Sequence, residues 1–195
     1  LNNQFGVAPV ITTSFNWASH ANMLKYHGDK QRAKMCGKYF AFYMEQIRYG
    51  QGYHDFKQVD IICHSMGNQI LVDSILHCHA EHTLALFHKC NIIAVAPDVA
   101  MEEYRSAIKL VVGDTKIPSP PVISNWINYW NQNDGPLFLS KFANMEISMG
   151  GLKLSRPAGR SHCNIGSARF KSIQWETDSF FNHGYVGNIL DEDHE

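Results

Sequence analysis

No apolar run in this 195-residue chain approaches the roughly 20 residues of a membrane-crossing helix, which excludes a spanning segment. Charge of one sign is also missing. The net charge is −1 and charged residues make up 18% of the chain, so no polybasic surface for nucleic acid or acidic lipid is indicated. The five cysteines are an odd number without the spacing of a disulfide framework, and a reducing, cytoplasmic location is expected. Internal repeats and low-complexity tracts are absent, which argues against solenoids and linkers. There is no initiator methionine and no signal peptide at Leu1. Leu1–Gly6 reads as the end of a helix, so the chain is expected to be a piece of a longer protein. What is present is an ordinary globular balance, 45% hydrophobic, long enough for one domain spanning residues 1–195.

The most informative stretch runs from Val59 to Leu71. An apolar strand, Val59–Cys63, leads into His64-Ser65-Met66-Gly67 and then into a helical pattern. This is the G-x-S-x-G nucleophile elbow with Cys63 in place of the first glycine. Such a turn strains the backbone at the serine and lifts its hydroxyl out of the sheet. Close crossing of strand and helix asks for small residues two before and two after it, here Cys63 and Gly67.

Around it, strands and helices alternate. Val10–Phe15 reads as a strand and Asn16–Ser19 as a turn. Residues from Lys30 to Arg48 read as a helix with one apolar face, Cys36, Phe40, Tyr43 and Ile47. Met66–His77 is a helix, Cys90–Ala96 a buried strand closed by Pro97-Asp98, and Ala100–Val111 a helix. Ile123–Trp130 is a strand ending in the turn residues Asn131–Pro136. Gly150–Gly166 reads as a long loop, Ser172–Trp175 as a last strand, and Asn182 as the start of a short terminal helix. This alternation predicts a mostly parallel sheet covered on both faces.

In such sheets ligands bind at the carboxyl ends of the strands. The polar residues predicted there are Ser65, Asp98, Asp134 and His183, in the serine, acid, histidine order of α/β-hydrolases. The types suit acyl transfer. A neutral imidazole takes the serine proton and returns it to the leaving group. A carboxylate fixes the imidazole's tautomer, and backbone N–H groups, one of them from Met66, hold the oxyanion. The acid is left open between two residues. Asp134 also fits a simple turn former in Asn-Asp-Gly-Pro, and Asp98 fits a helix cap or the acid itself. His64 is an unlikely base, because neighbours on a strand point apart.

Several segments carry a resemblance. Ile61–Asn68 resembles the A-H-S-M-G-N elbow of a bacterial α/β-hydrolase family of unknown function. Phe15–Ser19 is similar to that family's F-x-W-P-S strand end, with Ala18 where proline is usual. Val95–Val99 resembles its A-A-P-D-V strand end, Asn133-Asp134 its S-N-D motif, and His183-Gly184-Tyr185 its G-H-S-Y-Y stretch, with Asn182 before the histidine. The resemblance implies a three-layer α/β-hydrolase fold without its N-terminal strands. It implies Ser65 as nucleophile, Asp134 as acid and His183 as base. It also implies an upstream strand and His-Gly loop, outside these residues, that gives the second oxyanion N–H. The open sheet position left by that strand predicts poor activity and self-association of the chain by itself.

The expected function is hydrolysis of an ester or related acyl bond on a small-molecule substrate, with no cofactor. A non-catalytic hydrolase-like binding or scaffold domain is the alternative. His77, Cys78, His79, Glu81, His82, His88 and Cys90 are metal-ligand types, yet they form no metal motif and read as a helix end and loop, so no metal is expected. The pocket wall is expected from the loops around Ile117–Val122 and Gly150–Gly166.

Overall fold

The computed structural model describes residues 10–19, 25–50, 58–113, 121–143, 145–148, 151–154 and 156–175. Its centre is a parallel sheet of four strands in the order β1 (Val59–His64), β2 (Cys90–Val95), β3 (Asn125–Trp130) and β6 (Phe170–Gln174). Registers run Ile61 to Ile92 to Trp126 to Phe170, so all four strands end at one edge. A separate antiparallel hairpin joins β4 (Met145–Ser148) to β5 (Gly151–Leu154).

The helices are α1 (Tyr26–Tyr49), α2 (Gly67–Ala80), α3 (Met101–Val112) and α4 (Gly135–Ala143). Alternate strand residues Ile61, Ile92, Ala94 and Trp126 share one core with α1, α2 and α3. The opposite strand face carries a smaller cluster, Val95 and Ala96 with Leu137 of α4, flanked by Ile93, Tyr129 and Trp175. On that face Ile62 of the edge strand is 52% exposed. In α3, Glu102 and Glu103 occupy the first turn, where the helix dipole favours them, while Tyr104, Ala107, Ile108 and Val111 are fully buried. Buried Tyr104 accepts from Trp126 Nε1 and donates to Asn128 Oδ1, both at 3.0 Å, which ties α3 to β3 without leaving polar atoms orphaned.

Several expectations are corrected. Residues 10–15 form no strand; Val10 and Ile11 are 85% and 59% exposed. β-Branched residues favour extended backbone, but a strand needs a ladder partner, and none of the described residues provides one. The segment instead lays Phe15 against Phe40 and Tyr43 of α1. α1 begins four residues earlier than read, and its buried stripe is Lys30, Ala33, Gly37, Phe40, Ala41 and Met44. Of the expected face Phe40 is buried, and Cys36, Tyr43 and Ile47 pack half-buried against the same core. Ala33, Gly37 and Ala41 in the stripe are small, so hydropathy does not mark them, and Gly37 lets α1 approach α2 closely. A Cβ on Gly37 would sit 2.6 Å from Asp73 Cβ, which makes glycine a requirement there. At Gly67 the expectation of crowding fails: a Cβ would meet nothing within 4 Å. The stretch after Asn131 holds α4 and the hairpin, and the supposed loop from Gly150 includes β5 and a 3₁₀ turn at Ala158–Arg160. The terminal helix from Asn182 lies outside the described residues.

Candidate active site

Strand β1 ends at His64, and Ser65 follows in the left-handed region at φ 50°. A non-glycine residue there costs on the order of 1–3 kcal/mol and persists only where the surroundings impose it. The surroundings are visible. Ser65 N–H continues the ladder to Val95 O at 3.0 Å, and its own carbonyl accepts from Asn68 N and Asp98 N, each at 3.1 Å. Asn68 is fully buried, and its amide Nδ2 faces the carbonyls of Cys63, Ser65 and Val95 at 3.1–3.2 Å. Ala96, one register further on, repeats the device at φ 45°, with its N–H on Tyr129 O at 3.0 Å. Two adjacent strands therefore end in strained residues at the same edge.

Met66 opens α2 in helical conformation (φ −67°, ψ −17°). Its N–H makes no hydrogen bond to another described residue. It lies at the positive end of a 14-residue helix, a setting suited to an anion. Cys63, the residue in place of the elbow's first glycine, has its thiol pushed up to about 12 by burial, so it stays protonated and competes poorly as a nucleophile.

The two candidate acids lie on neighbouring loops. Asp98 is 2% exposed. Tyr26 Oη donates to its Oδ2, Lys30 Nζ lies 3.7 Å from Oδ1, and Lys30 also donates to the Asp98 carbonyl at 3.2 Å. Burial pulls the Lys30 ammonium below its ordinary pKa, with the carboxylates of Asp98 and Glu103 opposing. Asp134 is fully buried after β3. Its Oδ1 accepts from Leu137 N at 2.9 Å and caps α4. Arg160 lies near enough for the Asp134 carboxylate to oppose the lowering that burial imposes on the guanidinium.

A strap formed by residues 156–161 crosses this edge. Ala158 N donates to Val99 O at 2.9 Å, Gly159 N to Pro97 O at 2.8 Å, and Asn131 N to Gly159 O at 2.9 Å. Gly159 is packed so tightly that a Cβ would lie 2.5 Å from Leu137 Cδ1 and 2.6 Å from the Ala96 carbonyl carbon. The strap joins the Asp98 loop to the Asp134 loop. Beside it, His162 stacks edge-on against Trp130, ring centroids 6.2 Å apart.

Ser65, Met66, Asp98 and Asp134 thus all lie at the carboxyl edge, while His183 lies outside the described residues. Of the two loops expected to wall the site, the one from Gly150 runs through this edge. The other enters β3 at its amino end, where Lys89 N bonds Val122 O at 3.2 Å, so its described residues sit across the sheet from Ser65. A cavity of about 330 Å³ also opens at the amino end, among Asp60, Asn91, Asn125 and Lys171. Tyr26, Lys30, Asn68 and the strap escaped the sequence reading. Asn68 was within the elbow motif, and Lys30 was a charge on a buried helix face; the strap lay within the Gly150–Gly166 loop expected to wall the site, but nothing marked its bonds to the two acid loops. Among the described residues no three histidine, cysteine or acidic side chains gather as a metal site, and all five cysteines are free.

A strained serine between a parallel strand and a helix, at the carboxyl edge of an α/β sheet, defines the hydrolase-type elbow. Over residues 2–188 the chain matches the family described as alpha/beta hydrolases of unknown function, and it belongs to that family. No curated protein and no solved structure gave a match.

Proposed function

We propose that the protein is a serine hydrolase acting on an ester or related acyl bond. The observation that carries this reading is Ser65 at φ 50° between β1 and α2, with the Met66 N–H directed from a helix N-terminus. Ser65 Oγ attacks the acyl carbon and passes its proton to the imidazole of His183. Asp134 holds that imidazole and stabilises its cationic form. The oxyanion rests on Met66 N–H, with a second donor from an upstream loop that has no counterpart among the described residues. The alcohol leaves with the proton from His183. Water, deprotonated by the same imidazole, then releases the acid and regenerates the serine.

Labelling with a fluorophosphonate tests this reading. The parent protein labels stoichiometrically, and Ser65→Ala labels not at all while keeping its thermal midpoint. Unchanged labelling of Ser65→Ala refutes the assignment. With a histidine base of ordinary pKa, about 6.5, kcat/KM on a simple ester rises with pH through roughly 6 to 7.5. A flat profile points to another base.

A non-catalytic hydrolase-like domain is the second reading. One observation favours it: Asp134 Oδ1 caps α4, which a structural aspartate would do equally. Absence of labelling in a folded parent protein selects it.

A further inference from the structure

Helix α1 turns one face to α2 and leaves the other in solvent. On the inward side Ala33, Gly37, Phe40, Ala41 and Met44 are buried, with Cys36, Tyr43 and Ile47 half-buried against the same core. On the outward face, Met35, Tyr39, Phe42 and Tyr49 are 61%, 58%, 59% and 63% exposed. Their spacing is four, three and seven, with exposed Gln46 at the intervening position. That is a 3.5-residue repeat, the seam of a two-helix coiled coil with one polar layer. Scattered exposed apolar residues need no explanation, but a row of four on one helix does.

We propose that this seam pairs α1 with α1 of a second copy, antiparallel about a two-fold axis. The flanking charges select this occupant. Lys38 and Glu45 are both exposed on the same flank of the seam, one heptad apart. Antiparallel pairing sets Tyr39 against Phe42 and Met35 against Gln46 of the second copy. It brings Lys38 to Glu45 of that copy and, by symmetry, Glu45 to its Lys38. Parallel pairing would instead set Lys38 towards Tyr43 and Glu45 towards Gly50, with no complementarity. Shape agrees with charge. A groove of about 190 Å³ beside the seam, lined by Ala18, Arg32, Met35, Cys36, Lys38 and Tyr39, is room for an aromatic ring. The same register aligns Tyr49 of the second copy with Arg32, at that groove. The fourteen helical steps from Met35 to Tyr49 span roughly 21 Å, so the interface is small and the dimer dissociates on dilution.

Sedimentation of the full chain between about 1 and 100 µM tests the pairing. The weight-average mass rises from 22.1 kDa towards twice that value. Phe42→Glu stays monomeric with an unchanged circular dichroism spectrum. Lys38→Glu and Glu45→Lys each weaken association by about tenfold. The double variant K38E/E45K recovers the parent's association, which only the antiparallel register predicts. Ile62→Lys, on the exposed edge strand, leaves the dimer intact. A parent that is monomeric at about 100 µM overturns the proposal and leaves the seam to a helix of another protein. So does a dimer that survives Phe42→Glu, a double variant that fails to recover, or a dimer lost in Ile62→Lys.

Discussion

Asp98 and Asp134 follow neighbouring strands, lie on loops joined by one strap, and are equally buried, yet their carboxylates are committed differently. Asp98 faces away along α1, into Tyr26 and the ammonium of Lys30. Asp134 gives one oxygen to the first turn of α4 and sits near a guanidinium that is itself bound to the Gln132 carbonyl at 3.0 Å. The first is a buried ion pair that locks the loop behind the elbow, since Asp98 N–H is also the donor to Ser65 O. The second caps a helix and lies within the field of the Arg160 guanidinium, at the same sheet edge as Ser65. Burial alone therefore does not distinguish a structural acid from a candidate triad acid; the identity of the partners does.

The largest effect that can break this contrast is catalytic. Asp134→Asn is expected to lower kcat by about 10⁴, as a wrong imidazole tautomer does. Asp98→Asn is expected to cost less than about tenfold per active site, counted by fluorophosphonate titration. The reverse outcome would move the acid one strand earlier.

The next effect is on stability. Lys30→Met leaves a buried carboxylate without its cation and should cost about 3–5 kcal/mol in urea unfolding. Arg160→Met removes the cation near Asp134, on a partly exposed side chain, and should cost about 1 kcal/mol or less. Equal losses would mean that both acids are held as ion pairs.

The smallest effect uses a third acid as a control for burial. Asp73 on α2 is pushed up to about 6, chiefly by burial, with Glu103 adding and the Gln69 hydrogen bond opposing. Its folded form holds the proton more tightly than the unfolded chain, whose value is 3.8. The stability it contributes is therefore complete below pH 3.8 and lost as pH rises through about 6. Asp73→Asn should raise stability at pH 7.5 by about 1–2 kcal/mol, solvent screening included, and flatten the profile between pH 4 and 6.5. An unchanged profile would assign that pH dependence to another group.

The elbow, the buried strand Cys90–Val95 and the placement of Ser65, Asp98 and Asp134 after strand ends were legible in the residues. Each depends on a local signal: an apolar run, a turn, a small polar residue at a strand end. Belonging to the α/β-hydrolase family was legible as well. The Val10–Phe15 strand was misread because propensity describes a residue's own backbone and says nothing of a neighbour to pair with. The inward face of α1 was read in part: Phe40 is buried and Cys36, Tyr43 and Ile47 pack half-buried on the core, while Ala33, Gly37 and Ala41 went unread because hydropathy does not mark small residues.

By itself, then, the sequence determined the strand–helix alternation from the elbow strand to β3 and the elbow with its serine, since these arise from interactions within a few residues. Only the tertiary structure decided which partners each acid meets. Tyr26 and Lys30 lie 72 and 68 positions from Asp98 in the chain. Contacts over such separations arise from how α1 docks on α2, and that docking turns on Gly37 having no Cβ where Asp73 stands.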